Sequence, residues 1–337
     1  MSNKRVAING FGRIGRLTLR AYLESGRDDL DFVAINDLAP ADMNAHLLEF
    51  DSVHGRLPME VGLSGGNIRV NGKEIKVISE ANPENLPWKD LDIDIVMECT
   101  GRFADRDSAA QHLEAGARRV LVSAPCKNAD LTVVYGVNDQ DLTADHLVVS
   151  NASCTTNCLA PVVKIINETV GLERGYMTTI HAYTGDQRTV DTFHKDPYRA
   201  RASAVNLIPT STGAAKAIGL VLPELAGKLD GASIRVPTPN VSMVDLTFQS
   251  SKPTSVDEIN EAMTKAANGS LTGVLGVNAK PLVSSDFNHD PRSSIFDLPS
   301  TQVIDGVFCR VVSWYDNEWG FSNRMSDTAA AMEKLIA

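Results

Sequence analysis

A chain of 337 residues is longer than one hydrophobic core usually organises and suits two domains. Its 43% apolar and 22% charged residues are ordinary for a globular protein, and a net charge of −10 argues against nucleic acid or an anionic membrane as primary partner. No stretch approaches the ~18 uninterrupted apolar residues of a membrane span, and the N-terminus lacks a signal-peptide layout, so the expected residence is cytoplasmic.

KRVAING is a short apolar strand pattern ending in glycine, and RIGRLTLRAYLESG has helical periodicity closing on Gly26. DFVAIND is strand-like again. DIDIVMECTG, ARRVLVSAP, LTVVYGVN and HLVVSNAS follow as buried strands separated by helical or turn-rich segments. This alternation predicts an α/β, Rossmann-type, doubly wound parallel sheet. The texture changes near residue 150. TNCLAPVVKIINETVG reads as a helix with Pro161 early, where proline is tolerated. GYMTTIHAYT is a strand, followed by a polar loop from about 186 to 204. SIRVPTPN, VSMVDLTFQS, GVLGVN and TQVIDGVFCRVVSWYD alternate as β-strands, with a helix near VDEINEAMTKAAN. An α+β second domain with a mainly antiparallel sheet is expected, and SNRMSDTAAAMEKLIA is a terminal amphipathic helix. The expected limits are 1–150, completed by the C-terminal helix at about 320–337, and 151–319.

INGFGRIG supplies G-x-G-x-x-G as Gly10, Gly12 and Gly15 between a strand and a helix. Such glycines permit a tight turn, let the backbone approach a pyrophosphate and let the helix pack on the strand. Asp37 ends the next strand 22 residues beyond Gly15, near the spacing expected of a carboxylate that binds the adenosine ribose. Its charge opposes a 2′-phosphate, so NAD is the expected cofactor.

Five cysteines, at 99, 126, 154, 158 and 309, have no framework spacing and are expected to be free thiols. No further ligands flank Cys154 and Cys158 at zinc-like spacing, so no metal is expected. Cys154 falls where VVSNAS passes into a helix, and the positive helix end should lower its thiol pKa. Cys158 lies one turn on, among apolar residues that should raise its pKa. Ser153 and Thr155 offer donors to an anion or developing oxyanion. His181, at the end of an apolar strand, is the candidate base. Of its competitors, His46 and His54 belong to the first domain, His112 and His146 to its surface segments, and His194 and His289 to polar loops. A thiol with a nicotinamide implies aldehyde oxidation through a thiohemiacetal and a thioester. Lys195, Arg199, Arg201 and the Thr-Ser-Thr-Gly turn form a plausible anion cradle, to which Arg235 adds a guanidinium fork.

INGFGRIGR, INDL, SNASCTTNCLAP, TIHAYTGDQR, IPTSTGAAKA, RVPTPNVS and SWYDNEWGFSNR resemble bacterial phosphorylating glyceraldehyde-3-phosphate dehydrogenases over essentially the whole chain. The resemblance implies oxidation of glyceraldehyde 3-phosphate to 1,3-bisphosphoglycerate with NAD and inorganic phosphate, in a homotetramer. It places the nucleophile on Cys154 and its activator on His181. The substrate's phosphate would meet Thr184, Arg235 and Arg199; attacking phosphate would meet Ser153, Thr155, Thr212 and Gly213. Cofactor contacts would fall on Arg13, Ile14, Asp37 and Ser123, with Asn317 at the carboxamide. A polar loop at about 183–206 would lie against a neighbouring subunit's cofactor. The sequence departs from the pattern at Asp191-Thr192-Phe193, Ala81, Pro197-Tyr198 and Phe321, which implies altered cofactor affinity. The competing readings are an erythrose-4-phosphate dehydrogenase, which hydrolyses the thioester, and a non-catalytic NAD-binding redox sensor.

Overall fold

The computed structural model describes residues 4–336, so the expected domain limits at 1 and 337 lie outside the described residues. The chain forms two compact units. The first runs to Val133 and includes Asp139–Ala152 and the residues from Ser322 onward; the second holds Val134–Asn138 and Ser153–Phe321.

In the first unit β1 (Lys4–Asn9) buries Val6, Ala7 and Ile8, as expected of a strand covered on both faces. There follow α1 (Arg13–Glu24), β2 (Leu30–Asn36), α2 (Ala41–Glu49), the small ribbon of β3 (Phe50–Asp51) and β4 (Gly55–Arg56), then β5 (Val61–Ser64), β6 (Asn67–Val70) and β7 (Lys73–Ile78). The unit continues through β8 (Ile95–Glu98), α3 (Arg106–Glu114), β9 (Arg119–Val122), β10 (Leu131–Thr132) and β11 (Val148–Ser150). The sheet order is β10-β11-β9-β8-β1-β2-β7-β6-β5. Its strands are parallel from β10 to β7 and antiparallel from β7 to β5. The antiparallel edge comes from two-residue turns, Gly65-Gly66 and Asn71-Gly72, all four at positive φ. These are the residue types that hairpin turns demand. Asn9 pairs with both Asn36 and Glu98, so the carboxyl ends of β1, β2 and β8 lie side by side. A doubly wound sheet places its ligand cleft at this edge.

LTVVYGVN was expected to be a strand along its length, but only Leu131 and Thr132 pair. Val133 and Val134 are nonetheless fully buried, so the apolar run signals burial and not strand geometry.

The second unit opens with α4 (Cys154–Val170). Pro161 lies two turns inside it, past the first turn where proline is free of cost. Burial of Leu159, Ala160, Val162 and Val163 around it holds the helix through the missing hydrogen bond. After β12 (Leu172–Ala182) come β13 (Ile208–Ser211), α5 (Ala214–Val221), β14 (Leu229–Val236), β15 (Ser242–Ser250), α6 (Val256–Ala267), β16 (Leu275–Asn278), β17 (Ser294–Asp297), β18 (Gln302–Ile304) and β19 (Phe308–Tyr315). The order is β13-β14-β12-β15-β19-β17-β16, with β18 on β19. All pairs are antiparallel except β12 with β14 and β16 with β17. Strand β15 buries every second residue, so one face forms core. The final helix, α7 (Trp319–Glu333), enters the first unit at Ser322. Among the described residues no helix is long and apolar enough to cross a membrane.

Candidate active site and dinucleotide cleft

In the first unit the turn after β1 follows from its glycines. Gly10 has φ +89°, and a Cβ there would stand 2.7 Å from Thr100. Gly12 caps α1 with open space where a side chain would project, and Gly15 packs against the Gly10 carbonyl. A cleft of about 260 Å³ is lined by Gly10, Gly12, Asp37, Ala81, Thr100 and Phe103, among others. The Asp37 carboxylate accepts the N–H of Phe11 at 2.7 Å and that of Ala39 at 2.8 Å, so it is held in place at the cleft. A bare helix start, a glycine that leaves the backbone open and a fixed carboxylate fit a dinucleotide.

Arg13 does not point free: its guanidinium pairs with Asp51 at 2.5 Å. Ile14 is half-buried in the first turn of α1. The Ser123 N–H donates to the Glu98 carbonyl at 2.9 Å. Its side chain bonds the Cys99 thiol, which burial pushes up to about 12.

In the second unit Ser153 caps α4: its Oγ accepts the Thr156 N–H at 3.1 Å. This makes Cys154 the first helical residue, and its Sγ lies 3.5 Å from His181 Nε2 at the end of β12. The Ala182 carbonyl, 2.6 Å from Nδ1, can only accept, whereas the Arg235 guanidinium beside the same nitrogen can only donate, so the two neighbours favour opposite tautomers, and in either one Nε2 faces the thiol. Parallel pairing of β12 with β14 sets His181 opposite Arg235. Arg235 Nη1 approaches Nδ1 at 2.8 Å and donates to the same carbonyl at 3.1 Å. Its Nε is buried without a partner, a donor still available to an anion.

The helix start does not lower the thiol pKa on balance. Burial pushes Cys154 up, outweighing Arg235 and the Thr155 hydrogen bonds. Burial also pushes His181 down, to about 3, with Arg235 adding to the effect. Both shifts favour a neutral thiol beside a neutral imidazole at rest, and the 3.5 Å contact is the path by which the proton can pass from sulfur to the ring.

Thr155 is buried and bonds Tyr315 Oη at 2.9 Å; Thr179 bonds the same oxygen at 2.9 Å. The His181 ring meets Tyr315 edge-on at 5.9 Å. Arg199 donates to Thr210 Oγ1 through Nε and Nη2, pairs with Asp186, and adds its charge at both His181 and Arg235. Arg201, expected in the same cradle, pairs instead with Asp191 in solvent at 2.7 Å. Thr184 donates its N–H to Gln187 Oε1 at 2.9 Å. Thr212 Oγ1 accepts the Ala214 N–H at 3.2 Å, and Gly213 caps α5. Asn317 is buried, its Oδ1 accepting from Ser242 Oγ at 2.8 Å; Ser242 in turn accepts the Ala182 N–H at 3.0 Å. Ser242 thus ties the Asn317 amide to the strand end that carries His181 and leaves its nitrogen as the donor.

The structure therefore gathers Cys154, His181 and Arg235, with Arg199 near. Sequence reasoning missed Tyr315 and Ser242, whose only signal was a hydroxyl on the inward face of a strand. Cys158 is fully buried and pushed up to about 12, in keeping with a packing role.

Two family models match: the glyceraldehyde 3-phosphate dehydrogenase NAD binding domain over residues 4–106, and its C-terminal domain over residues 153–317. A glyceraldehyde-3-phosphate dehydrogenase of Xanthobacter flavus is 66% identical across 98% of this chain and 99% of its own length. The chain belongs to the glyceraldehyde-3-phosphate dehydrogenase family. Similar proteins of that name occur in Pseudomonas aeruginosa, at 59% identity over 97% of this chain and 98% of the relative, and Geobacillus stearothermophilus, at 57% over 97% of each. Family membership makes the protein an NAD-dependent oxidoreductase, and the cleft with Gly10, Gly12 and Asp37 lies in the segment matched by the NAD binding domain.

Proposed function

We propose that the protein oxidises glyceraldehyde 3-phosphate to 1,3-bisphosphoglycerate with NAD and inorganic phosphate. The observation that carries this reading is the 3.5 Å contact between Cys154 Sγ and Nε2 of His181, beside Arg235 with its unpartnered Nε. His181 takes the thiol proton as sulfur attacks the aldehyde carbon and returns it to the former carbonyl oxygen, giving a thiohemiacetal on Cys154. Bound NAD supplies a hydride acceptor. Loss of hydride from the carbon leaves a thioester, His181 serving as the base for the hydroxyl proton. Phosphate oxygen then attacks the thioester carbon, the C–S bond breaks, and an acyl phosphate departs with the thiolate restored.

Arg235, Arg199 and Thr184 are assigned to the substrate's own phosphate, and Ser153, Thr155, Thr212 and Gly213 to the attacking one. Gly10, Gly12, Arg13, Ile14, Gly15, Asp37 and Ser123 are assigned to the dinucleotide, with Asn317 at its carboxamide. Supporting the first assignment, guanidinium forks and hydroxyls suit a dianion. The first unit is read as the NAD-binding domain and the second as the catalytic domain, working in the cytoplasm. A homotetramer is supported by exposed Val190, Phe193, Tyr198, Val205 and Leu207, large apolar side chains of one loop segment that a lone chain would leave in water.

The deciding assay follows NADH formation from glyceraldehyde 3-phosphate with and without phosphate or arsenate. Strict dependence on the oxyanion is expected. Equal rates without it would mean hydrolysis of the thioester, and no turnover at all would leave a binding protein.

A further inference from the structure

Behind the dinucleotide cleft lies a chain of buried polar side chains that takes no part in the chemistry above. Trp88 and His112 are 0% exposed and Glu98 is 1% exposed. His112 was expected on a surface segment; the helix α3 instead turns it inward, where the Trp88 indole N–H donates to its Nδ1 at 3.0 Å. An indole can only donate, so Nδ1 is bare and the His112 proton sits on Nε2, 3.0 Å from Glu98 Oε2. Asn9 Nδ2 donates to that same oxygen at 2.5 Å. The other carboxylate oxygen accepts the Thr100 N–H at 2.7 Å and the Thr100 hydroxyl.

A carboxylate can only accept, so Asn9 must offer it the amide nitrogen and turn its Oδ1 the other way, to Asn36 Nδ2 at 2.7 Å. Asn36 is then forced to accept with Oδ1, from the Glu80 N–H at 2.9 Å, while its nitrogen also serves the Glu80 carbonyl at 2.8 Å. The amide orientations of Asn9 and Asn36 thus agree with a donor at Trp88 and an acceptor at Glu98 at one end and with the Glu80 backbone at the other. Asn9, Asn36, Glu80 and Thr100 line the cleft.

We propose that Glu98, locked by Trp88 through His112, is a positioning residue that sets the donor and acceptor pattern of the cleft for the adenosine diphosphate half of the cofactor. The proposal rests on the cofactor reading given above. Glu98→Gln keeps the size but brings an N–H₂ group against at least one donor. Misorienting the relay in this way should weaken binding by about tenfold. Calorimetric titration with NAD, and separately with ADP-ribose, should show this loss for both ligands. In turnover the change should fall on KM for NAD, with KM for the aldehyde and phosphate unmoved.

Trp88→Phe retains the carboxylate and an aromatic ring but frees the His112 tautomer and leaves a small void; a loss of about threefold in the same direction is expected. This second variant carries the test if Glu98→Gln does not fold. Lower unfolding temperature with unchanged Kd for both ligands in the variants that fold would overturn the relay alone, leaving a structural role. An unaltered protein that binds neither ligand would overturn the relay and the function together.

Discussion

Arg235 Nη1 stands 2.8 Å from Nδ1 of His181, so a permanent cation abuts the ring that must take the Cys154 proton. The same charge acts in opposite senses on the two partners. It lowers the thiol pKa, favouring thiolate, and lowers the imidazole pKa, opposing imidazolium. Arg235→Gln should therefore raise both, moving both limbs of the pH profile of Cys154 alkylation to higher pH. At neutral pH the alkylation rate should fall by roughly tenfold, the effect of about 1.4 kcal/mol. Iodoacetamide, being neutral, reads the thiolate without a charge bias of its own. Limbs that stay put, or move to lower pH, would show that Arg235 does not act on the pair.

His181→Asn removes the acceptor for the thiol proton while keeping a polar group of similar bulk. Loss of a positioned base costs on the order of a hundredfold or more in turnover. Alkylation of Cys154 should slow alongside it. Peptide mapping of the labelled protein should find Cys154 modified well before the others. Burial holds Cys126 at about 11, and Cys99 and Cys158 at about 12. First labelling at Cys158 or Cys126 would contradict this order.

Legibility in the sequence followed the range of the physical signal. Gly10, Gly12 and Gly15 act within one strand–turn–helix unit, and Cys154 at the start of α4 is likewise local, so both were readable. Pairing of β12 with β14 also brought His181 and Arg235 together, two residues that each looked chemically suited beforehand. What failed depended on partners distant in sequence. His112 looked like a surface residue because Trp88 and Glu98, which bury it, sit on other segments. Tyr315 lies 160 residues from Thr155, and no local pattern marks the bond. The thiol pKa was misjudged for a related reason: a helix terminus is visible in sequence, whereas the burial that outweighs it is not.

Tyr315 is the one hydroxyl shared by Thr155, beside the nucleophile, and Thr179, on the strand that carries His181. Tyr315→Phe preserves the edge-on ring contact but leaves two threonine hydroxyls without their acceptor or donor. Stability should fall by about 1–2 kcal/mol, the range for losing a buried hydrogen bond. Alkylation of Cys154 should fall as well, because the bridge couples α4 to β12. Denaturant unfolding and labelling rates measured on the same preparation test both parts. Unchanged labelling with reduced stability would confine Tyr315 to a structural role.

Asp51 offers a pH-linked prediction in the first unit. Burial alone would raise its carboxyl pKa, but the His54 N–H, the Arg13 guanidinium and the Val53 N–H outweigh it and hold the value at about 2, below the ordinary 3.8. A depressed folded-state value stabilises the protein in full above the ordinary pKa. The contribution then declines as pH falls through 3.8 and is lost at about 2. The gap corresponds to about 2 kcal/mol at neutral pH. Asp51→Asn should cost about that much in urea at pH ~7, and progressively less as acid removes the charge from the parent as well. A penalty of equal size at neutral and acidic pH would show that the Asp51 charge contributes nothing, and that only its hydrogen-bonded shape matters.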